Sequence, residues 1–484
     1  MGMAEQAGLV WFRTGLRLQD NAAVYAALRD NKQVACLYVL DDHYMRGADI
    51  GPARAAFLLE SLAELDGALR EHGGRLIVRR VAGDVPAEVL RVAEEVGAGR
   101  IYINKDYLPY PLQRDRQVEA MALEAGRELK VFRDILLADP ERVLTEDGRP
   151  YTVFTPFKHR WEGMLRTPKR LDVDPLLHHF HSFESVKSAL LPTLDDYGLH
   201  LKQQIEPGGE KRAYARLDEF ARLGLPHYHQ NRDFAADPNS TSRLSMHIKW
   251  GTVSIRDCYR TAREQGGPGA DKWIDELAWR EFYHGIVLHF PHVLDGPMLP
   301  EYGDFPWSDN KEHLEAWKAG ETGYPFVDAG IRQMNATGWM HNRLRQVVGS
   351  YLVKDLAIHW QEGERYFMQK LVDGDWPANN GGWQWVAGCG TDPRRATRIF
   401  NPTLQMERYD PKAEYVRQWI PEYGASRYRD PIVPHEIGRQ NFFERFHRTS
   451  DTRQIAREAR KAEAKEREPW VGRSVPEEPG LFDN

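Results

Sequence analysis

The 484-residue chain has 42 % hydrophobic and 28 % charged residues, which is ordinary for a globular protein, and its length predicts two or three domains. The formal net charge of −6 argues against a general polyanion binder but leaves room for a local basic patch. No apolar run approaches the ~18 residues of a membrane-spanning helix, and the N-terminal residues lack the basic region of a secretory signal. Three widely spaced cysteines (Cys36, Cys258 and Cys389) match neither a disulfide framework nor a zinc site. We therefore expect a cytoplasmic, reduced protein without a metal or a membrane anchor.

The first 136 residues alternate between short branched or aromatic runs and amphipathic segments. This alternation predicts an α/β domain with a doubly wound parallel sheet. The first strand-to-helix turn, RTGLRLQDN at 13–21, has no GxGxxG motif, so the NAD-type phosphate cradle is missing. The runs that predict strands are LVWF (9–12), VACLYVL (34–40), RLIVRRV (75–81), RIYINK (100–105) and KVFRDI (130–135).

The remaining chain divides into three parts. Residues 137–205 have weak periodicity and are interpreted as an inter-domain linker. Residues 206–449 follow the helical period and predict an all-α domain. Residues 450–484 form a charged C-terminal tail.

The stretch DGDWPANNGGWQW, residues 373–385, combines carboxylates, amides and indoles with three glycines and a proline. The glycines and the proline predict a bent loop rather than a regular helix or strand. Two other segments admit both a functional and a structural interpretation. NSTSRLSMHIKWG (239–251) fits an anion site at a helix start or a well-capped helix. RRATR (394–398) fits a phosphate-binding cluster or a solvated basic patch.

Two predicted helices carry aromatic and polar side chains together. In WIDELAWREFY (273–283), Trp273, Glu276 and Arg280 share one face, either as a site or as a surface ion pair. In WMHNRLRQ (339–346), Asn342 and Gln346 share a face that fits a flat heterocycle or a polar helix contact. Seven tryptophans between 307 and 385 fit either packing or one-electron transfer.

With these segments in order, the chain resembles the photolyase/cryptochrome family, and most closely the bacterial class I cyclobutane pyrimidine dimer photolyases. The similarity begins at LVWFRTGLRLQDN and continues through TSRLS, WIDELAWREF, TGYPFVDAGIRQMNATGWMHNRLR, VKDLAIHW, GERYF, DGDWPANNGGWQW and RIFNPTLQ. The resemblance implies an α/β domain followed by a helical domain that binds FAD. It also implies light-driven DNA repair, in which excited reduced FAD passes an electron to a dimer flipped out of the duplex.

The resemblance assigns site residues by their match to the family motifs. Asn379 matches the residue that faces the flavin N5, and Arg345 is expected to neutralise Asp373. The expected FAD contacts are Tyr228, Thr241, Ser242, Arg243, Leu244, Ser245, Trp273, Arg280, Arg345, Asp373, Gly374, Asp375 and Asn379. The expected DNA and dimer contacts are Arg232, Glu276, Trp279, Asn342, Arg343, Gln346, Trp385, Arg398 and Gln405. Trp383, Trp360 and Trp307 match the chain of indoles that photoreduces FAD.

Glu276 is expected to hydrogen-bond the pyrimidine and, when protonated, to stabilise its radical anion, which requires a pKa raised by burial. Gln346 departs from the methionine that class I enzymes usually have beside the dimer, which puts the lesion preference in doubt. The segment at 104–118 lies where antenna-binding residues occur, and it is closer to the deazaflavin-type pattern, although folate and FMN stay open. We expect UV-damaged DNA as the partner of a monomer that needs no protein partner.

Two alternatives from the same family remain. A cryptochrome-type blue-light receptor without repair activity would typically have Asp or Cys at the position of Asn379. A (6-4) photolyase would have a histidine pair where His341 is followed by Asn342.

Overall fold

The structure is a computed structural model that describes residues 7–47, 50–391, 397–424 and 428–466. Its N-terminal part is a five-stranded, all-parallel sheet with the strand order β3-β2-β1-β4-β5. The predicted doubly wound α/β architecture is therefore confirmed. The strands are β1 Ala7–Phe12, β2 Val34–Asp41, β3 Leu76–Val81, β4 Ala98–Asn104 and β5 Glu128–Phe132. The helices of this part are α1 Ala22–Asp30, α2 Asp42–Met45, α3 Pro52–Glu71, α4 Val85–Glu95 and α5 Pro109–Glu124.

The rest of the described chain is helical, which confirms the predicted α-helical second part. Its helices are α6 Phe154–Met164, α7 Glu210–Leu223, α8 Tyr228–Asn231, α9 Ser245–Trp250, α10 Ile255–Gln265, α11 Gly267–His289, α12 Lys311–Ala319, α13 Pro325–Thr337, α14 Asn342–Ser350, α15 Trp360–Lys370, α16 Trp376–Ala387, α17 Pro402–Tyr409, α18 Glu414–Trp419, α19 His435–Arg448 and α20 Ser450–Glu466. A π-helical turn, Tyr351–Asp355, follows α14. Short 3₁₀ turns lie at Asp174–His179, Asp195–Tyr197, Leu225–His227, Pro291–Leu294 and Pro300–Tyr302.

The segment 137–205 packs against both parts of the molecule. The indole of Trp161 on α6 is fully buried and donates to the carboxylate of Glu281 on α11, 2.6 Å away. Near the sheet, the Ala189 N–H donates to the carbonyl of Val78 on β3. At its end, the Gln204 N–H donates to the carbonyl of Ala336 on α13. These contacts hold the connection in place along much of its length.

The prediction that 373–385 is not a regular helix is wrong for most of that stretch. Residues 376–387 form α16, and only the residues before Trp376 are extended or turned. Pro377 lies in the first turn, where a missing N–H leaves no hydrogen bond unmade. Gly381 lies against the ring of Tyr283, and a Cβ at this position would overlap that ring. The glycine therefore allows α11 and α16 to approach closely, which outweighs its low helix propensity.

A buried ion network joins the sheet to the helical part. Asp20 and Asp134 lie in the N-terminal part and are fully buried, and Arg256 on α10 contacts both carboxylates at 3.0 and 2.8 Å. Burial alone would raise the pKa of Asp20, but Arg256 and its neighbours outweigh burial and lower it. The two parts therefore meet through permanent charge pairs as well as through apolar packing.

Across the described ranges, each helix is too short or too polar to cross a bilayer.

The predicted C-terminal tail, residues 450–484, divides at Glu466. Residues 450–466 form α20, whereas residues 467–484 lie outside the described residues.

Candidate active site

A cavity of about 710 Å³ lies within the helical part, between α8, α9, α11, α14 and α16. Most of the site residues expected from the sequence line this one cavity, although they are spread over more than 150 positions of the chain. Those on its wall are Tyr228, Arg232, Thr241, Ser242, Arg243, Leu244, Ser245, Trp273, Glu276, Trp279, Arg280, Asn342, Arg345, Gln346, Asp373, Gly374, Asp375, Asn379, Trp383 and Trp385.

The side chains that line the cavity include two groups, whose carboxylates differ in exposure. We call Lys249, Arg280, Asp373 and Asp375 the inner wall, because the Asp373 side chain is only 3 % exposed and the Asp375 side chain 16 %. We call Arg232, Glu276, Trp279, Gln346 and Trp385 the outer wall, because Arg232 and Glu276 keep 25 % and 28 % of their side chains exposed.

Asp375 on the inner wall is surrounded by basic side chains. Burial alone would raise its pKa, but His284, Arg280 and Lys249 outweigh that effect and lower the pKa of the carboxyl. Burial lowers the pKa of His284 to about 4, so this imidazole is neutral at pH 7. Burial also lowers the pKa of Lys249 to about 8. The inner wall therefore carries cations whose desolvation an anionic ligand would offset.

The loop before α9 supplies polar groups to the cavity in an unexpected way. The helix begins at Ser245 with Leu244 as its N-cap, and no side chain caps it. The hydroxyl-rich residues 239–242 thus lie in the preceding turn, and they do not cap the helix. Arg216 on α7 fixes this turn, because its guanidinium donates to the carbonyls of Ser242 and Thr241 at 2.8 and 3.0 Å.

The start of α16 is held by two arginines. Arg345 on α14 contacts both oxygens of Asp373, at 3.0 and 2.8 Å, as the sequence predicts. Arg54 on α3 comes from the sheet-containing part and donates to the carbonyl of Gly374 at 3.0 Å and to that of Met368. Arg54 was missed at the sequence level, since 320 positions separate it from Gly374.

Asn379 faces the cavity from the first turns of α16. Its amide nitrogen donates to the backbone carbonyl of Glu364 on α15 at 3.1 Å, which fixes the orientation of the amide and leaves its oxygen and its second N–H for other partners. The carboxylate of Glu364 accepts from the neighbouring Asn380 at 2.8 Å. Sequence reasoning did not identify this contact between α15 and α16.

Two ion pairs cross the outer wall, and both begin at the end of α8. Arg232 contacts the carboxylate of Glu276 on α11, and the adjacent Asp233 contacts Arg343 on α14 at 2.9 Å. Burial raises the pKa of Glu276, although Arg232 and Lys272 oppose the shift. The dipeptide 232–233 thus links the two helices that flank the outer wall.

An aromatic residue of α6 completes the outer wall. Phe154 stacks face to face on Trp279, with ring centroids 3.6 Å apart and an interplanar angle of 5°. Phe154 and Trp279 both line the cavity, so the stacked pair forms one aromatic surface of the outer wall. Phe154 comes from the segment 137–205, where weak periodicity gave no signal of a site residue.

Three tryptophans expected to act in electron transfer follow one direction away from the cavity. Trp383 lines the cavity, and Gly363 on α15 lies against its ring so closely that a Cβ would overlap it. Trp360 lies one turn before Gly363 on α15 and is 2 % exposed. The ring of His359 lies between Trp360 and the partly exposed Trp307, at centroid distances of 5.8 and 5.1 Å.

Three expected DNA contacts lie outside the main cavity. Arg398 lies beside it, and shares a small neighbouring pocket with Trp385. Arg343 lies behind the outer wall in its pair with Asp233. Gln405 lies on α17, away from the cavity wall. Residues 394–396 of the predicted basic cluster lie outside the described residues.

A second group of charged and aromatic side chains lies at the carboxyl edge of the sheet. The guanidinium groups of Arg13 and Arg114 both lie 4.9 Å from the centroid of the Trp11 ring. Arg13 also pairs with Asp115, and the Tyr110 hydroxyl donates to Asp41 at 3.3 Å. Ligands of open parallel sheets bind at this edge, so the segment 104–118 is suitably placed for an additional chromophore.

Comparison with known proteins agrees with this geometry. Residues 8–175 match the sequence model of the family described as DNA photolyase, and residues 273–440 match that of the FAD binding domain of DNA photolyase. A deoxyribodipyrimidine photo-lyase of Synechococcus is 37 % identical over 465 residues, which cover 90 % of this chain and 95 % of that protein.

Solved structures share the same architecture. A class III photolyase from Agrobacterium tumefaciens superimposes with a TM-score of 0.85 at 31 % identity, covering 93 % of this chain and 99 % of its own. A photolyase from Sulfolobus tokodaii, solved with two FAD molecules, gives a TM-score of 0.80 at 30 % identity and covers 92 % of this chain and all of its own. The chain belongs to the DNA photolyase family.

Proposed function

We propose that this protein repairs cyclobutane pyrimidine dimers in DNA in a light-driven reaction that uses FAD bound in the main cavity. The observation that carries the proposal is that one cavity combines an excess of cationic lining side chains with an outer wall that carries two indoles and a carboxyl. The inner wall fits an anionic dinucleotide, and the outer wall fits a pair of pyrimidines turned out of the duplex.

The lining charges fit FAD. Five described lining side chains are cationic and three are carboxylates, which leaves an excess of positive charge for a pyrophosphate. The cations are Arg232, Arg243, Lys249, Arg280 and Arg345, and the carboxylates are Glu276, Asp373 and Asp375. Reduced FAD, when bound, supplies the electron that opens the cyclobutane ring after light absorption and takes it back afterwards.

The chain's own residues orient the cofactor and exclude water. Arg280 and Lys249 offset phosphate charge, and the hydroxyls of Thr241 and Ser242 offer hydrogen bonds to the same groups. The contact with the Glu364 carbonyl fixes the Asn379 amide, whose oxygen would accept from the flavin edge. Trp273, only 3 % exposed, closes the apolar side of the cavity.

On the substrate side, Trp279 and Trp385 contact the faces of the extruded bases. Such stacking stabilises a base outside the duplex by about 1–3 kcal/mol. A dimer is easier to extrude than a normal base step, since its bases stack poorly with their neighbours. Glu276 donates a hydrogen bond to the pyrimidine when protonated, which its burial favours. Asn342, Arg343, Arg398 and Gln405 contact the DNA around the lesion.

When Arg232 binds a DNA phosphate, it leaves Glu276. The carboxyl then loses one of the two cations that oppose its protonation, with Lys272 remaining 3.9 Å away, so its pKa rises further and it can act as a hydrogen-bond donor. Phosphate binding and dimer recognition are therefore coupled through one ion pair.

Trp383, Trp360 and Trp307 carry electrons from the surface to the cavity and keep the cofactor reduced. This task is separate from repair, because none of the three needs to touch the dimer. The carboxyl edge of the sheet holds an antenna chromophore, for which a deazaflavin, a folate and FMN remain candidates.

The acting form is a cytoplasmic monomer that binds UV-damaged DNA without an obligate protein partner. Cys36, Cys258 and Cys389 are buried free thiols, which fits a reducing compartment.

The test is to illuminate the reduced holoprotein with oligonucleotides that contain either a cyclobutane dimer or a (6-4) photoproduct. We expect the cyclobutane dimer to disappear and the (6-4) product to persist. Repair of neither lesion would favour a blue-light receptor, and repair of the (6-4) product alone would overturn the substrate assignment.

A further inference from the structure

Gln346 has a fixed amide orientation within the outer wall. Its Oε1 lies 2.9 Å from a guanidinium nitrogen of Arg343, one turn earlier on α14. A guanidinium group can only donate hydrogen bonds, so the amide oxygen must face Arg343. The Gln346 Nε2 group consequently points away from Arg343, and within the described ranges it has no protein acceptor.

Arg343 is itself held from two other sides. A second guanidinium nitrogen lies 2.9 Å from the carboxylate of Asp233, and the side chain is only 12 % exposed. The guanidinium carbon lies 4.4 Å from the centroid of the Tyr409 ring, within the range of a cation–π contact. Asp233, Arg343 and Gln346 thus form a chain in which each side chain fixes the next.

The position of this chain relates it to the substrate. Gln346 lines the cavity with Glu276, Trp279 and Trp385, whereas Arg343 lies behind it and is absent from the wall. The amide therefore adds a neutral donor to a wall that otherwise offers two indole faces, one carboxyl and the charged guanidinium of Arg232. Pyrimidine rings carry carbonyl oxygens on their edges, and these oxygens are acceptors.

We propose that Gln346 is a specificity-determining residue whose Nε2 group donates a hydrogen bond to a ring carbonyl of the extruded pyrimidine, and that Asp233 is the positioning residue that fixes this orientation through Arg343. The proposal rests on the proposed function, because it requires a pyrimidine dimer in the cavity. It assigns a role to Asp233, for which the sequence gave no signal. It also explains how a polar side chain can replace an apolar one beside the dimer.

The first test replaces Gln346 by methionine, which has a similar length but no donor. Dark binding of the FAD-loaded protein to dimer-containing and undamaged oligonucleotides gives the two dissociation constants. We expect Gln346→Met to weaken dimer binding by about 2- to 10-fold, as for loss of one hydrogen bond, and to leave undamaged DNA unaffected. Gln346→Glu should weaken dimer binding more, because both carboxylate oxygens are acceptors that repel a carbonyl.

The second test asks whether Asp233 acts through the amide. Asp233→Asn should lower the preference for dimer over undamaged DNA in the parent protein. In the Gln346→Met background the same substitution should cause no further loss of dimer affinity, because the oriented donor is already missing. Gln440→Met, at an exposed glutamine on α19, is the matched control and should change neither constant.

The outcomes distinguish the proposal about Gln346 and Asp233 from the proposed function on which it rests. A parent protein that binds dimer and undamaged DNA equally would overturn both. If the parent protein prefers the dimer and the Gln346→Met protein prefers it equally, only the role of Gln346 is overturned. Additive losses from Asp233→Asn and Gln346→Met would overturn the positioning role of Asp233.

Discussion

The inner and outer walls of the cavity each contain a carboxylate that pairs with an arginine, but the two carboxylates differ in burial. On the inner wall, Asp373 is 3 % exposed and pairs with Arg345, which is 26 % exposed, and Arg54 reaches across from α3 to a backbone carbonyl. On the outer wall, Glu276 is 28 % exposed and pairs with Arg232, which is 25 % exposed. A buried carboxylate is costly to separate from its cation, whereas a pair with both partners partly exposed can exchange partners at small cost. The difference suits a permanent cofactor on one side and a transient polyanion on the other.

The Arg232–Glu276 pair of the outer wall also bears on DNA binding by a protein of negative net charge. Glu276 neutralises Arg232 while no DNA is bound. A phosphate must compete with this carboxylate, which weakens binding to undamaged DNA more than binding that also gains contacts with an extruded dimer.

The largest effect is expected at Trp383, where a substitution should stop the photoreduction of FAD without stopping the repair of dimers. Trp383→Phe should abolish photoreduction of oxidised FAD, because a phenyl ring is much harder to oxidise than an indole. Chemically reduced Trp383→Phe protein should still repair dimers. Absorbance during illumination with an external electron donor follows the first step, and dimer loss follows the second.

Trp317 provides the matched control for that experiment. Its ring lies 6.2 Å from that of Trp383 and also contacts Tyr366 and Phe367, whereas the ring that contacts His359 is that of Trp360. Oxidised FAD in the Trp317→Phe protein should therefore be photoreduced as in the parent protein. Photoreduction that fails in Trp317→Phe and survives in Trp383→Phe would show that the electron route was assigned to the wrong indole.

The next largest effect tests whether the sheet-containing part holds the inner wall. Arg54→Met leaves two buried carbonyls, of Gly374 and Met368, without this donor. At about 1–3 kcal/mol for each unsatisfied group, FAD affinity should fall on the order of 100-fold. FAD titration of the apoprotein measures the change, and Arg29→Met, at an exposed arginine of α1, is the control. FAD affinity equal to that of the parent would mean that α16 holds its start without Arg54.

A smaller effect is expected at the outer wall. Glu276→Ala should lower repair by about 10-fold while FAD stays bound, as for loss of a hydrogen bond to a charge-bearing partner. Because burial raises the pKa of Glu276, the protonated form persists to higher pH than in a free glutamate. Repair should therefore decline as the pH rises through that raised pKa.

Glu276→Gln sharpens this prediction, since the amide donates at every pH. Its repair rate should lose the alkaline decline that the parent protein has. An alkaline decline that is identical in Glu276→Gln would assign the titration to another group.

The smallest effect concerns the surface beside the outer wall. Arg398→Ala should weaken binding to damaged and undamaged DNA alike and reduce the slope of log affinity against log salt by about 1. Titrations at several salt concentrations measure the slope. A slope equal to that of the parent would exclude a phosphate contact at Arg398.

Local patterns predicted much of this molecule. Branched runs gave the five parallel strands, although β5 begins and ends a few residues earlier than predicted. Helical spacing placed Trp273, Glu276 and Arg280 on one face, and all three line the cavity. These features depend on near neighbours in the chain, which is why the sequence alone reveals them.

The features that were missed depend on distant contacts. The glycines of 373–385 predicted a loop because their low helix propensity is local, whereas the ring of Tyr283 that favours Gly381 lies on α11. Arg54 and Phe154 belong to other parts of the chain, and nothing in their own segments marks them. Asp233 follows an expected DNA contact, yet its role depends on Arg343, more than a hundred positions later.

The central claim is that FAD on the inner wall and a pyrimidine dimer on the outer wall occupy one cavity in direct contact. Fluorescence of the reduced flavin in the purified holoprotein tests this most directly, because electron transfer to a neighbouring dimer competes with emission. We expect a dimer-containing oligonucleotide to quench the emission, undamaged DNA to leave it unchanged, and the emission to return as illumination repairs the dimer. The account would be contradicted if the protein took up no FAD on reconstitution. It would also be contradicted if a saturating concentration of the dimer-containing oligonucleotide left the flavin fluorescence unchanged.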